Sequence, residues 1–477
     1  MNIAGDLTKA PIPGLIRRIA VPASLGFLFN TLYNVIDTYW AGRAVSQDAL
    51  TALGLSFPLF FIIIAFSHGA NTGPTALISQ AVGRGDRREA NRLTAQALVF
   101  ALIVSVVVMG LGLGFAPYLF HMLKALGRVY DYAMDYSFVI FLGAPFFVLS
   151  TVLNAPLAAR GDMVGFLIVL VCGCLLNFVL APMFVDGWFG CPRMGFRGLA
   201  LSTVTIQIAG SAYMLFRAAS KGYVTRRTFV LMRPNGRLLG QIAMQSLPAT
   251  FNMLTVAIGI FVTTRFVADY GTTALAGYNV ATRIEQIALL PSIGLNIAAL
   301  AICGQNFGAR KFDRVRATVR LAMIYGICLM LLSALPLILF SEPMLHRFGG
   351  GHVARDLLEV GRGYLKVMAF LLPAYVILYI NTAALQALKK PVYAIWIGLV
   401  RQILLPLLLC HLFADILDRG LAGVWWGQFA SNWSAAVFTL FFARRVILRI
   451  EREVLAAEAA AATAPAGVPV TGTPAAE

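Results

Sequence analysis

Long runs of apolar residues, almost free of charge, dominate this sequence and limit what it can fold into. A helix needs about 20 apolar residues to cross the hydrocarbon core of a bilayer, and the sequence contains twelve such runs. Only 12% of the residues are charged, about half of the roughly 25% typical of soluble domains, so lipid must cover most of the surface. The runs do not alternate as the strands of an outer-membrane barrel do. The predicted spans are residues 15–41, 51–80, 93–120, 133–158, 163–185, 196–217, 241–268, 274–303, 317–341, 360–387, 392–416 and 421–443.

Basic residues cluster in alternate loops, and this asymmetry predicts the orientation of the chain. The side that holds both termini carries about 25 lysines and arginines, against about 8 on the other side, as in the positive-inside rule. We therefore predict a multi-pass protein of the cell (inner) membrane with both termini in the cytoplasm. The net charge of +17 then reflects topology, and no nucleic-acid partner is predicted.

The sequence contains an internal repeat with a period of about 225 residues. Pro22 matches Pro248, Gln80 matches Gln305, and Gly83 matches Gly308. Because each copy has six spans, both copies share one orientation, which predicts two pseudo-symmetric six-helix lobes with a cleft between them. The predicted parts are an amino-terminal cytoplasmic segment (1–14), a first lobe (15–218), a cytoplasmic linker (219–240), a second lobe (241–447) and a disordered cytoplasmic tail (448–477).

Asp37 is the single charged residue between residues 19 and 42. A charge at the centre of a span costs about 2.5–3.5 kcal/mol on insertion scales, so such residues face a protein interior or a water-filled cavity. Asn30, Tyr33 and Asn34 precede Asp37 at helical spacing, which predicts one polar face. A carboxylate there could bind and release a proton as access changes. The alternative is a structural hydrogen bond between helices.

Other polar residues in the spans are candidates for the same site or for a substrate cleft. In the first lobe they are Asn154, Asn177, Ser202 and Thr203, each of which could instead serve only as a helix–helix hydrogen bond. The second-lobe residue aligned with Asp37 is Thr263, which predicts a single cation site in the first lobe.

The second lobe carries charges of its own within the predicted spans. Arg283 and Glu285 are two residues apart and should point to different faces of their helix. We assign both, with Asn30, to the substrate cleft, although an ion pair or a cap would also explain them. Arg401 is ambiguous in the same way.

No enzyme motif is present. The sequence lacks HExxH, a GxSxG elbow and a Walker loop. The six cysteines have no metal-type spacing, and Cys172 and Cys174 point to different sides of a helix. We therefore predict no catalytic residue, no metal site and no cofactor beyond a coupling ion.

Several motifs, in order along residues 12–447, resemble the multidrug and toxic compound extrusion (MATE) transporters. They are LYNVIDTYWAGR, SQAVGRGDRREA, RGDM, GFRGLALSTV and RIEQIALLPSIGLNIAALAICGQNFGARKFDR. The resemblance implies a V-shaped protein that exports amphipathic, often cationic small molecules by alternating access in exchange for protons or sodium ions. An acid in the first span, with none in the seventh, looks like the DinF-like branch. On that resemblance Asp37 is the coupling acid, surrounded by Tyr33, Asn34, Asn154, Asn177 and Thr203.

One departure from the family pattern bears on the coupling ion. The family often reads LNxxLDP in the fifth span, whereas this chain reads LNFVLAP from Leu176, with Ala181 in place of the second acid. A sodium ion prefers several oxygen ligands, so the loss favours a proton. A lipid-linked oligosaccharide or polysaccharide flippase of the same superfamily is the alternative, which Arg283 and Arg401 keep open. We expect a monomer, because the two lobes already supply the symmetry.

Overall fold

A computed structural model describes residues 6–42, 46–348 and 354–463, and within them every regular element is a helix. Ten of these helices are long and apolar enough to cross a membrane, and two that meet at a 43° bend, Gly127–Leu142 and Ala144–Ala158, form an eleventh span. The last helix, Gly420–Thr463, is not among these by the same measure of length and apolarity. It carries Gln428, Ser431 and Asn432, which are buried among neighbouring helices. The predicted all-α membrane fold is confirmed.

The helices follow the predicted spans closely. In chain order they are α1 (Ile12–Trp40), α2 (Gln47–Gly83), α3 (Arg87–Met122), α4 (Gly127–Leu142), α5 (Ala144–Ala158), α6 (Val164–Asp186), α7 (Phe196–Ser220), α8 (Arg226–Val230), α9 (Gly236–Ala268), α10 (Thr272–Gly308), α11 (Phe312–Leu339), α12 (Ser341–Phe348), α13 (Arg355–Ala387), α14 (Val392–Leu399), α15 (Leu405–His411) and α16 (Gly420–Thr463). Two π-helical turns, Val400–Leu404 and Leu412–Ile416, follow α14 and α15, so residues 392–416 form one continuous span.

Helices α1–α7 form the first lobe and α9–α16 the second, and the chain's first residues join them. Leu7, Ile16 and Ile19 are buried in the apolar core of the second lobe, although α1 continues into the first lobe. The backbone N–H of Leu7 donates to Oε1 of Gln305 at 2.9 Å. Leu7, ahead of α1, is therefore part of the contact between the lobes.

The linker between the lobes is attached to α3. The Gln96 side-chain amide donates to the carbonyl oxygens of Leu231 and Arg233, both at 2.8 Å. Its Oε1 accepts from the backbone N–H of Asn235 at 3.0 Å. The predicted linker includes the short helix α8 and the start of α9.

The predicted disordered tail, residues 448–477, is wrong over residues 448–463, where α16 continues as a helix. This stretch is rich in alanine, the strongest helix former. It is also attached to the second lobe, because Arg316 pairs with Glu451 and Arg310 with Glu458. Residues 464–477 lie outside the described residues.

The two lobes meet through a pseudo-symmetric contact on the side of the membrane where α1 begins and α16 ends, called here the terminal side. Gln80 donates to the carbonyl oxygen of Ala387 at 2.6 Å, and Gln305 donates to that of Ala159 at 2.7 Å. The two donors, Gln80 and Gln305, occupy matching positions in the repeat. Each donates a hydrogen bond to the end of a helix in the other lobe.

Glycines allow the close approach that these hydrogen bonds require. A Cβ atom on Gly83 would lie 1.9 Å from the carbonyl oxygen of Gln305, and one on Gly308 would lie 2.1 Å from that of Gln80. Deeper in the membrane, Gly294 of α10 packs against Ser24 of α1. The lobes are therefore closed on the terminal side, which leaves the opposite side as the one where a cleft between them can open.

Candidate functional site

Asp37 lies in the last turn of α1, away from the terminal side, with only 7% of its surface exposed. The Asn177 amide of α6 donates to Oδ1 of Asp37 at 2.7 Å. Ser202 of α7 lies behind it, with its hydroxyl 3.4 Å from Oδ1 of Asn177. One turn earlier on α1, the Tyr33 hydroxyl donates to Oγ1 of Thr203 at 2.8 Å. Three helices thus surround the acid with neutral polar groups.

The electrostatic character of this pocket follows from what surrounds Asp37. Within residues 6–42, 46–348 and 354–463, no lysine, arginine or histidine forms an ion pair with the carboxylate. When Asp37 is ionised, the described hydrogen bond that stabilises its charge comes from the Asn177 amide. Such a buried charge is costly unless it is paired or neutralised, so protonation of Asp37 would remove a large unfavourable contribution.

Three of the predicted site residues lie elsewhere. The Asn154 side-chain nitrogen is 3.9 Å from Sδ of Met163, and no described hydrogen bond joins it to Asp37. Asn30 and Asn34 are exposed, whereas Tyr33 and Asp37 turn into the lobe. Asn30 lies seven residues before Asp37, hence on the same side of α1 but two turns away, so the predicted face does not have one environment along its length.

Exposed polar side chains on α1 and α10 flank the open side of the cleft. Asn30, Asn34 and Thr38 form a stripe on α1 beyond the Ser24–Gly294 contact. Polar side chains at this depth face a water-filled cavity rather than lipid. A second exposed stripe, on α10, consists of Asn279, Arg283 and Gln286.

Glu285 does not belong to the cleft, which corrects its predicted position. It is 6% exposed, inside the second lobe, and the Tyr364 hydroxyl donates to its Oε2 at 2.5 Å. Arg401 is buried in the same lobe. The Arg401 guanidinium lies 5.5 Å from the ring centre of Tyr375 and 3.4 Å from Oδ1 of Asn432. Glu285 is therefore hydrogen-bonded inside a lobe that also holds a buried arginine, whereas the described hydrogen bond to Asp37 comes from an amide.

Two tyrosines of the buried acid sites were not identified from the sequence. Tyr364 contacts Glu285, and Tyr136 lies within electrostatic range of Asp37 while stacking on Phe196 at 5.1 Å. Both tyrosines precede an aligned proline of the repeat, Pro145 or Pro373, by nine residues. The repeat alignment could have found them.

Two lobes that meet on one side of the membrane and expose polar stripes on the other define a membrane transporter of the duplicated, two-lobe type. The MatE family model matches residues 22–183 and 248–412, one stretch in each lobe. The chain belongs to this family, the MATE transporters.

Known relatives and solved structures agree with that assignment. The probable multidrug resistance protein YoeA of Bacillus subtilis is 26% identical over 308 residues, which cover 64% of this chain and 66% of the relative. The FAD transporter of Shewanella oneidensis is 25% identical over 445 residues, which cover 92% of this chain and 96% of the relative. A MATE crystal structure in complex with MaL6 superimposes with a TM-score of 0.88 at 24% identity, covering 95% of this chain and 100% of that chain. An outward-facing multidrug resistance MATE transporter gives a TM-score of 0.87 at 24% identity, covering 94% of this chain and 99% of that chain. These similarities confirm the twelve-helix, two-lobe fold.

Proposed function

We propose that this protein is a proton-coupled antiporter of the DinF-like branch, which exports amphipathic, often cationic small molecules with Asp37 as the coupling acid. It would act as a monomer in the cell (inner) membrane, with its termini in the cytoplasm. The observation that carries the proposal is the buried Asp37, which has neutral hydrogen-bond partners and lies beside the polar stripe of α1.

The geometry supports a simple coupling scheme. With the lobes closed on the terminal side, water in the cleft reaches Asn34 and Thr38, which neighbour Asp37 on α1. A proton from that side would neutralise Asp37, and a cationic substrate near the acid would be released. Rocking of the lobes would then expose the site to the terminal side, where the proton leaves.

The side chains around Asp37 favour binding of a proton over binding of a sodium ion. Hard metal cations bind several oxygen ligands at once. Ala181, one turn after Asn177 on α6, is fully buried and offers no side-chain oxygen. Asp37 is then the only carboxylate that the three described helices α1, α6 and α7 bring to this pocket.

Transport in proteoliposomes tests the choice of ion. We expect export of a fluorescent cationic dye to follow an imposed pH gradient and to be insensitive to a sodium gradient at constant pH. Protein-free vesicles give the background. Export that followed the sodium gradient and ignored pH would overturn proton coupling.

Export of an anionic dinucleotide is a second candidate, and one observation favours it. Arg283 is exposed on the α10 stripe and forms no ion pair with another residue in the described ranges. A cationic group in the cleft would attract phosphate, and the Shewanella oneidensis relative is an FAD transporter. Of the two arginines behind the flippase alternative, Arg401 is buried in the second lobe, whereas Arg283 is exposed and is compatible with it.

Substitution of Arg283 separates the two candidates. If the substrate is cationic, Arg283→Gln should preserve or raise dye export, because it removes a repulsive charge, and FAD should not compete. If the substrate is an anionic dinucleotide, FAD should inhibit the wild type, and Arg283→Gln should abolish that inhibition. Arg283→Lys, which keeps the charge, is the matched control.

A further inference from the structure

A groove of about 630 Å³ runs along the lipid-facing side of the contact between the lobes. One wall is α1 of the first lobe, and the other walls are α10 and α11 of the second lobe. Apart from one charged residue, its side chains are mostly apolar. Those that define it include Arg17, Val21, Leu25, Leu295, Tyr325 and Leu329.

The dimensions of the groove match one leaflet of a bilayer. It is lined along α1 from Pro13 to Leu25, which at 1.5 Å per residue is about 18 Å. Half of a hydrocarbon core of about 30 Å is about 15 Å. Val21 and Leu25 are 49% and 43% exposed, so apolar surface within the membrane is left for something other than protein to cover.

Arg17 gives the groove a charged end. Pro13, Arg17, Val21 and Leu25 follow one another at four-residue spacing, so they form one face of α1. Arg17 is the charged residue of this face, is exposed, and lies one turn from the terminal-side end of the groove at Pro13. Within residues 6–42, 46–348 and 354–463 it forms no ion pair. A positive charge at the end of a leaflet-deep apolar groove is complementary to a lipid phosphate.

We propose that this groove binds one anionic phospholipid of the terminal-side leaflet, with an acyl chain along Val21 and Leu25 and the phosphate on Arg17. Because the walls come from both lobes, the lipid contacts both at once in the closed conformation. A ligand that binds one conformation better stabilises it, so the lipid would favour closure on the terminal side. The proposal does not depend on the coupling ion or the exported substrate.

Native mass spectrometry of the purified full-length protein tests this site. The protein in detergent is mixed with equal amounts of phosphatidylglycerol and phosphatidylethanolamine that carry identical acyl chains. We expect one phosphatidylglycerol molecule to be retained in preference to phosphatidylethanolamine. Arg17→Gln should reduce that preference about fivefold, as expected for the loss of one basic residue near lipid, whereas Arg17→Lys should keep it.

Two further variants show whether the lipid occupies the groove itself. Val21→Trp fills the groove and should reduce retention of both lipids. Arg92→Gln, which removes another exposed terminal-side arginine without a described ion pair, should leave the preference unchanged. Wild-type protein that retains no more lipid than Val21→Trp would overturn the site. Equal loss of preference in Arg17→Gln and Arg92→Gln would show that general positive charge, and not the groove, selects the lipid.

Discussion

Replacement of Asp37 by asparagine is expected to reduce dye export driven by a pH gradient to the level of protein-free vesicles. Asparagine has nearly the same shape, and its oxygen can still accept the hydrogen bond that Asn177 donates. What it loses is the ability to change charge, which is the property that coupling requires. Expression and thermal unfolding in detergent should stay close to wild type, because a buried, uncompensated charge is removed rather than created.

The second lobe provides a matched control for Asp37. Glu285 is also a buried acid within a span, yet the Tyr364 hydroxyl donates to it, and a buried arginine, Arg401, lies in the same lobe. We expect Glu285→Gln to retain export that depends on the pH gradient, even where it lowers stability. Asp37→Asn protein that exports as well as wild type would show that Asp37 is structural. Loss of coupling in Glu285→Gln alone would place the site in the second lobe.

Most of the architecture could be predicted because two strong constraints act on this sequence. The bilayer fixes the length of each helix, and the repeat fixes how six-helix units are related. The pairing of Gln80 with Gln305 in the repeat even marked the residues that join the lobes. The helical end of α16 was missed although its alanine content favours a helix, and its contacts with arginines far away in the sequence, through Glu451 and Glu458, could not be predicted.

The sequence identified Asp37 as a candidate, whereas the surroundings of several other candidate residues could not be predicted. Asp37 is identified by the free-energy cost of placing a carboxylate within the membrane, because acids in spans generally have a functional or structural role. Arg283 and Glu285 were expected on different faces, and one is exposed while the other is buried. Which helix each face meets depends on how the helices cross, and spacing within one helix does not contain that information. Asn154 was therefore placed with Asp37 although it packs against Met163.

Introduction of a single methyl group at Gly83 is expected to prevent tight closure of the lobes on the terminal side. The new Cβ would lie 1.9 Å from the carbonyl oxygen of Gln305, and a backbone atom cannot move away by changing rotamer. Overpacking of this kind costs about 1–3 kcal/mol, which shifts a two-state equilibrium about 5–150-fold. Gly83→Ala should therefore favour conformations open on the terminal side and slow transport.

Spin-label distances between the lobes measure this shift directly. Labels at Arg88 in the first lobe and Arg445 in the second, both exposed, should move apart in Gly83→Ala in a cysteine-free background. Gly308→Ala should act alike, because its Cβ would lie 2.1 Å from the carbonyl oxygen of Gln80. Gly110→Ala on α3 is the control, since nothing lies within 4 Å of a Cβ there. Distances that stay unchanged in both Gly83→Ala and Gly308→Ala would mean that the lobes tolerate the methyl groups. The contacts of Gln80 and Gln305 would then not limit closure.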